Sequence, residues 1–384
     1  MSEWKKVKLG DLYEVHNGLS KGRQFFGTGF PFLTFSNVFN NWFLPEELES
    51  LVQTTDKERE ACSIKAGDVF ITRTSETMDE LGMSSVALKD YPNATYNGFT
   101  KRLRPITNRV NPRYIGYYLR TPKFRGQFMA FSTMTTRASL ANNDLLNMEV
   151  ELPSMDIQHR IATILSRYDS LIENYQKQIK LLEEAAQRLY KEWFIDLHFR
   201  RHENTNIIDG VPEGWEKKKV GDITPIITGK KDANFGTPDG EYPFFTCSQE
   251  PIKAPSFSFD CAAVLLAGNG DFNVKLYRGR FEAYQRTYVL SPYIDSHLYL
   301  LFYTISANMT KLAAGSSGST IKFLTKGMID GINLNVPNDE ILRSFNKKVE
   351  PIQSSRESLQ SQLRLLTEAR DRLLPKLMSG EITI

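Results

Sequence analysis

The sequence predicts an α/β (mixed α+β) protein assembled from one architectural unit used twice, a globular domain followed by a long helix. Three observations predict it. The segment from Leu152 to Phe194 recurs near the C-terminus without a gap, at an offset of 184 that pairs Pro153 with Pro337, Ile157 with Ile341, Leu182 with Leu366 and Arg188 with Arg372. The openings of the two globular blocks repeat as well: Trp4 to Leu12 matches Trp215 to Ile223 at an offset of 211, and FPFLTFS matches YPFFTCS at 212. Finally, both repeated helical segments carry apolar residues at alternating steps of three and four, the spacing of a coiled-coil seam and not of a strand.

Along the chain, the first block opens with a short strand and turn over Glu3 to Leu12, then glycines at Gly18, Gly22, Gly27 and Gly29. The short apolar runs FPFLTFSNV and GDVFITRTS read as strands. Asn111-Pro112 has the cap and first-turn pattern of a helix start, and RYIGYYLRTPKFRGQFM supplies an aromatic face broken at Pro122. A polar loop, Ser132 to Ser139, and a strand, MEVELP, deliver the chain into the first long helix. There Ile157, Ile161, Ile164, Tyr168, Leu171 and Tyr175 form the seam, and Ile179, Leu182, Ala186, Leu189 and Trp193 continue it after a slip of one residue.

Residues 200–213 are polar and contain a glycine and a proline, and read as a joint. The second block repeats the order of the first: CAAVLLAGNGD parallels GDVFITRTSE, YLLFYTISANMTKLA parallels the aromatic helix, and GSSGSTIKFL parallels the polar loop. The offset falls from 211 to 184 across the block, so the halves differ by 27 residues, assigned to loops and strand edges. The last helix places Val349, Ile352, Arg356, Leu359, Leu363, Leu366, Arg370, Leu373 and Leu377 on its seam. Two arginines thus stand where apolar knobs belong; such positions fix register or partner choice, and the expectation is that a partner protein fills them. The domain limits are 1–152, 153–199 (helix), 200–213 (linker), 214–336 and 337–384 (helix).

Composition is that of an ordinary globular protein, with 384 residues, 41% hydrophobic content and a net charge of +3. No apolar run approaches the roughly 20 residues a membrane span requires, and the N-terminus lacks a signal-peptide pattern; a cytoplasmic protein is expected. The three cysteines, Cys62, Cys247 and Cys261, are too scattered for a disulfide framework or a zinc site. His198 and His202 form the one H-x-x-x-H pair, expected at an exposed helix end. Charge becomes informative when localised. No acid occurs between Tyr91 and Asn143, yet Lys101, Arg102, Arg104, Arg109, Arg113, Arg120, Lys123, Arg125 and Arg137 do. Such a stretch reads as a nucleic-acid footprint, against the alternative of a solvated basic face paired with the acidic segment Glu46 to Glu60.

Motifs for chemistry are incomplete. Asn111-Pro112-Arg113-Tyr114 departs from the N-P-P-Y turn of amino-methyltransferases by an arginine, and the helix-start reading explains it more simply. Gly268-Asn269-Gly270 lacks the third glycine of a dinucleotide turn, and Gly229-Lys230 lacks the glycine five positions earlier that a phosphate loop needs. Glu216-Lys217-Lys218 satisfies the E-x-K of metal-dependent nucleases but sits in the repeated opening strand, where a surface role is expected.

The order of block, helix, block, helix resembles the specificity subunit of type I restriction-modification systems. The segments LP…IQHRIATIL, KEWFID, GVPEGWEKKKVGD and LLPKLMSGEI carry the resemblance, which covers essentially the whole chain. It implies two target recognition domains, each reading one half of a split, asymmetric site on double-stranded DNA. It also implies that the helices pack as an antiparallel coiled coil with pseudo-two-fold symmetry, and that they carry two methyltransferase subunits through which motor-nuclease subunits join. No cofactor is then expected in this chain, with S-adenosylmethionine, ATP and Mg2+ in the partner subunits, and no chemistry of its own. A helix from Asp156 to His198 would measure roughly 60 Å, against about 34–36 Å for one turn of DNA.

DNA contacts call for Lys and Arg toward phosphates, and for Arg, Lys, Asn, Gln, Ser or Thr toward base edges. In the first half these are Lys21, Arg23, Arg73, Thr74, Ser75, Lys101, Arg102 and Arg137, all flanking expected strands. The matching positions of the second half are Lys230, Lys231, Asn269, Asn273, Lys275, Gln285, Arg286, Ser319 and Lys322. Phe25, Phe26, Tyr96 and Tyr284 are candidates for groove insertion, with core packing the stronger expectation. Two other functions remain open: the separate recognition subunit of systems that cut on both sides of their site, and a coiled-coil scaffold that binds proteins.

Overall fold

The computed structural model describes residues 4–75, 81–131, 138–316 and 322–384. It divides into two compact units: Met1–Tyr175 with Gln362–Ile384, and Gln176–Ser361. Each unit therefore joins one globular domain to part of the central helix, Met155–Tyr190, and part of the C-terminal helix, Asp339–Ser379.

In the first unit, strand Lys5–Lys8 pairs antiparallel with Glu149–Leu152 immediately before the central helix. A four-stranded sheet runs in the order 13–17, 100–105, 69–72, 84–86, and a three-stranded sheet in the order 51–52, 26–33, 95–96. The run FPFLTFSNV is divided between the two states: Thr34 caps a helix, Phe35–Asn40, by accepting from the Asn37 amide. Asn111 caps the helix Pro112–Tyr118 through its side-chain oxygen, and Pro122 begins a second helix that ends at Phe131. Tyr114, Tyr117, Tyr118, Phe124 and Phe128 from these helices are buried against Ile161, Ala162 and Leu165 of the central helix and Leu374, Leu377 and Met378 of the C-terminal one.

The second unit repeats this plan. Strand Glu216–Lys219 pairs with Asn333–Val336, and one six-stranded sheet runs 227–228, 287–290, 259–267, 274–283, 242–245, 252–254. Its aromatic helix, Leu298–Gly315, closes a core with Tyr190, Trp193, Phe194, Trp215 and Phe345. The central helix stops at Tyr190 and ends in a π-turn, Lys191–Ile195, short of the expected His198. Leu197 and Arg201 take left-handed backbone conformations that no helix continues through. The expected joint is partly ordered as a hairpin, with Ile207–Ile208 paired to Val211–Pro212.

Within each unit the paired helix segments run antiparallel. In the first, Asp169 meets Arg370 at 2.9 Å; in the second, Glu183 meets Arg356 at 3.6 Å. Two seam expectations are corrected. Leu171 is 45% exposed, whereas Ile172 is 8% exposed. With Ile172 on the seam, the steps Tyr168, Ile172, Tyr175, Ile179, Leu182, Ala186 alternate regularly, and the slip falls earlier, in the two successive steps of four from Ile164 through Tyr168 to Ile172. Ile161 is buried, and Ile164, Leu182, Leu189, Ile352, Leu359, Leu363, Leu366 and Leu373 are half-buried along the two helices, with Val349 buried. Arg356 and Arg370, expected to be filled by a partner, find their acids inside the chain instead. By the repeat they replace Ile172 and Ala186 of the other helix, so each unit has one charged seam position where the other has an apolar one.

Candidate nucleic-acid interface

The acid-free stretch 92–142 is mostly not a surface footprint, and that expectation is corrected. Arg102 is 2% exposed and donates to the Ser63 carbonyl at 2.7 Å. Arg104 forks onto Asp68, whose side chain is fully buried. Arg120 donates to the carbonyls of Ser84, Val38, Phe39 and Asn41, tying a helix end to two chain segments. Lys123 pairs with Glu151, and Arg113 lies over the Phe43 ring. Lys101 is 4% exposed and bonds Asn142; burial, and then the charge of Arg73, push its ammonium below the ordinary lysine range. Guanidinium groups suit this work, because their several planar donors can satisfy several carbonyls at once. Lys101 and Arg102 therefore serve the fold and are withdrawn as DNA contacts.

What the two domains do share is a turn. In the first, the Asn97 amide donates to the Leu33 carbonyl, Gly98 to Leu19, Thr100 to Asn97, Arg73 to Phe99, and Leu140 to Arg73, all between 2.9 and 3.2 Å. In the second, Tyr284 donates to Phe245, Gln285 to Lys231, Thr287 to Tyr284, Gly268 to Arg286, and Leu324 to Gly268, all between 2.8 and 3.0 Å. Five bonds thus match donor for donor and acceptor for acceptor. The loop leading in is held close by a glycine in each copy: a Cβ on Gly18 would run into the Asn97 carbonyl, and one on Gly229 into the Ala283 carbonyl.

In the second unit this turn gathers most of the expected residues. Lys231 bridges Tyr284 and Asn269 bridges Phe323. Lys230, Gln285, Arg286 and Lys322 are exposed, and Gln285 reaches Asp232 at 3.3 Å. Lys231 holds its ammonium 4.3 Å from the Phe235 ring. Asn273 and Lys275 turn inward instead. Asn273 is buried and donates to the carbonyls of Cys247 and Asp271, while Lys275 donates to the Ser248 carbonyl at 2.7 Å and is pushed below the ordinary lysine range by burial. Ser319 lies outside the described residues.

In the first unit Arg23 is exposed, whereas Lys21 pairs with Glu58 at 2.8 Å and lies over the Phe25 ring. Arg73 is half-buried and is the backbone node of the turn. Thr74–Ser75 pairs with Ala138–Ser139, the counterpart of the Asn269 to Phe323 bridge; Arg137 and the side chains of Thr74 and Ser75 lie outside the described residues. Tyr96 is fully buried and donates to the Asn17 carbonyl. Sequence reasoning missed Phe99, 54% exposed at the head of this turn. Its signal was present in the repeat, since the matched bonds place it opposite Arg286.

Among the described residues no group of three or more acids, histidines or cysteines is placed to hold a metal ion. Glu216 and Lys218 of the E-x-K triplet pair with each other at 2.7 Å.

The profile of the Type I restriction modification DNA specificity domain matches residues 1–184 and 212–355, one match per globular domain and the leading part of the helix that follows it. The chain belongs to the type I restriction-modification DNA specificity family. The MjaIX specificity subunit of Methanocaldococcus jannaschii is 26% identical to it over all of this chain and 94% of the relative. The EcoDI specificity subunit of Escherichia coli is 36% identical over 45% of this chain, a span that covers 40% of the relative's length. The crystal structure of a type I restriction-modification S subunit from M. genitalium shares the fold, with a TM-score of 0.65 at 15% identity over 98% of this chain and 96% of the other.

Proposed function

We propose that this specificity-family chain reads a bipartite, asymmetric site on double-stranded DNA, with domain 1–152 on one half and domain 214–336 on the other. One observation carries the reading: the five-bond frame of the turn is the same in both domains, while the side chains it presents differ, Asn97-Gly98-Phe99 against Tyr284-Gln285-Arg286. A common frame with different presented groups suits two readers of related geometry and unlike sequence. The helices serve as the mount for two methyltransferase subunits and, through them, motor-nuclease subunits. S-adenosylmethionine, ATP and Mg2+ belong to those partners, and this chain contributes no chemistry. Cytoplasmic placement follows from that role; among the described residues no helix is long and apolar enough to cross a membrane.

Selection from a randomised duplex pool, by the full chain with its methyltransferase partner at two salt concentrations, tests this. The expected result is a split, non-palindromic motif with a fixed spacer and a steep loss of affinity with salt. No enrichment, or retention indifferent to salt, would favour the protein-scaffold reading.

A further inference from the structure

Phe99 and Arg286 occupy the same place on the same frame, and neither is explained by folding. The Phe99 amide is spent on the Asn97 side-chain oxygen at 2.6 Å and its carbonyl on the Arg73 amide, yet its ring is 54% exposed. Arg286 uses its carbonyl to accept from the Gly268 amide and from Cys247 Sγ. Its exposed guanidinium has no ion pair or hydrogen bond among the described residues. Both side chains therefore stand out from backbone fixed on several sides, which removes much of the freedom that binding would otherwise have to freeze.

We propose that this position is the specificity-determining residue of each domain, with Phe99 packing on the C5 methyl of a thymine and Arg286 donating to the N7 and O6 of a guanine. The inference rests on the DNA reading and deepens it. The chemistry decides the assignment: the thymine methyl is the one apolar group on the major-groove edge of the bases, and guanine alone offers two adjacent acceptors to a forked donor. A phenyl ring placed where the other domain has a guanidinium cannot read guanine, so the two half-sites must differ at the base under this turn.

The test uses the full chain with its methyltransferase partner on the selected duplex, with deoxyuridine replacing each thymine singly and 7-deazaguanine replacing each guanine singly. One deoxyuridine in the first half-site is expected to weaken wild-type binding about fourfold, the loss of one buried methyl, with no such loss for F99A. One 7-deazaguanine in the second half-site is expected to weaken wild-type binding about tenfold, with no further loss for R286A. Both variants change exposed groups, and unchanged melting temperatures would verify that they fold. If F99A and R286A keep the wild-type response to every modified base, the assignment is overturned while the DNA reading stands. If the wild-type complex selects no sequence at all, the DNA reading falls and takes this inference with it.

Discussion

Arg370 donates from Nη1 to Asp169 Oδ1 at 2.9 Å, and the other oxygen of that carboxylate accepts the Tyr117 hydroxyl at 2.5 Å. The C-terminal helix, the central helix and the aromatic helix of the first domain are thereby joined at one point. The repeat keeps the joint and removes the charge. At the corresponding place in the second unit Gln353 bonds Tyr303, and the residue matching Arg370 is Ala186. Acid and arginine occur together or not at all.

This pair should be strongly coupled. Its side chains are 15% and 22% exposed, whereas those of Arg356 and Glu183 are 12% and 41% exposed and stand farther apart. Double-mutant cycles in urea with R370L and D169L should give a coupling of about 1–2 kcal/mol, against under about 1 kcal/mol for R356L and E183L. Equal couplings would mean that solvent screens both alike.

Replacing Arg120 by alanine leaves its carbonyl partners Ser84, Val38, Phe39 and Asn41 without a donor. The expected loss is about 3 kcal/mol of stability, read by thermal or urea unfolding, with DNA affinity per folded molecule unchanged. A loss under about 1 kcal/mol would show that water takes over the carbonyls.

Salt dependence separates fold lysines from contact lysines. K101M should leave the slope of log affinity against log salt unaltered, because the ammonium is spent on Asn142. K230A and K322A, at exposed positions of the second domain, should each reduce the slope by about 1. A K101M slope as shallow as that of K230A would return Lys101 to the interface.

The second unit should lose stability in mild acid. His297 is buried with Nδ1 lacking a partner among the described residues, and burial, then Lys218, lower its pKa from the ordinary 6.5. The unfolded chain therefore takes up the proton more readily than the folded one. The stability contributed by keeping His297 neutral is whole above pH 6.5 and is lost as pH falls toward the lowered value. Unfolding curves from pH 8 to pH 5 should show a smaller decline for H297F than for the wild type. Parallel declines would assign the acid sensitivity elsewhere.

Much of the fold was legible because the repeat is registered in backbone bonds. Leu9 donates to Met148 and Val220 to Ile332, the pair of bonds that the offsets of 211 and 184 require. The seam was legible except at Leu171 and Ile172, adjacent apolar residues between which neither composition nor spacing has a preference; burial decides for Ile172. The basic stretch misled for a different reason. Counting charges says how many guanidinium groups a segment carries, but not whether they point to water or to carbonyls several dozen residues away, as Arg102 and Arg120 do. Phe99 was missed because a lone phenylalanine in a turn carries no polar chemistry to flag it, and its meaning lies in the comparison with Arg286.

The first unit is completed by Gln362–Ile384, made after all of Gln176–Ser361. While a ribosome adds that intervening chain, roughly 10–40 s at ordinary rates of synthesis, Ile161, Leu165 and the aromatic helices beside them wait without Leu374, Leu377 and Met378. Nascent first domains must therefore dwell with a sticky stripe uncovered. Slowing translation of the second half should lengthen the time that chaperones spend on the first.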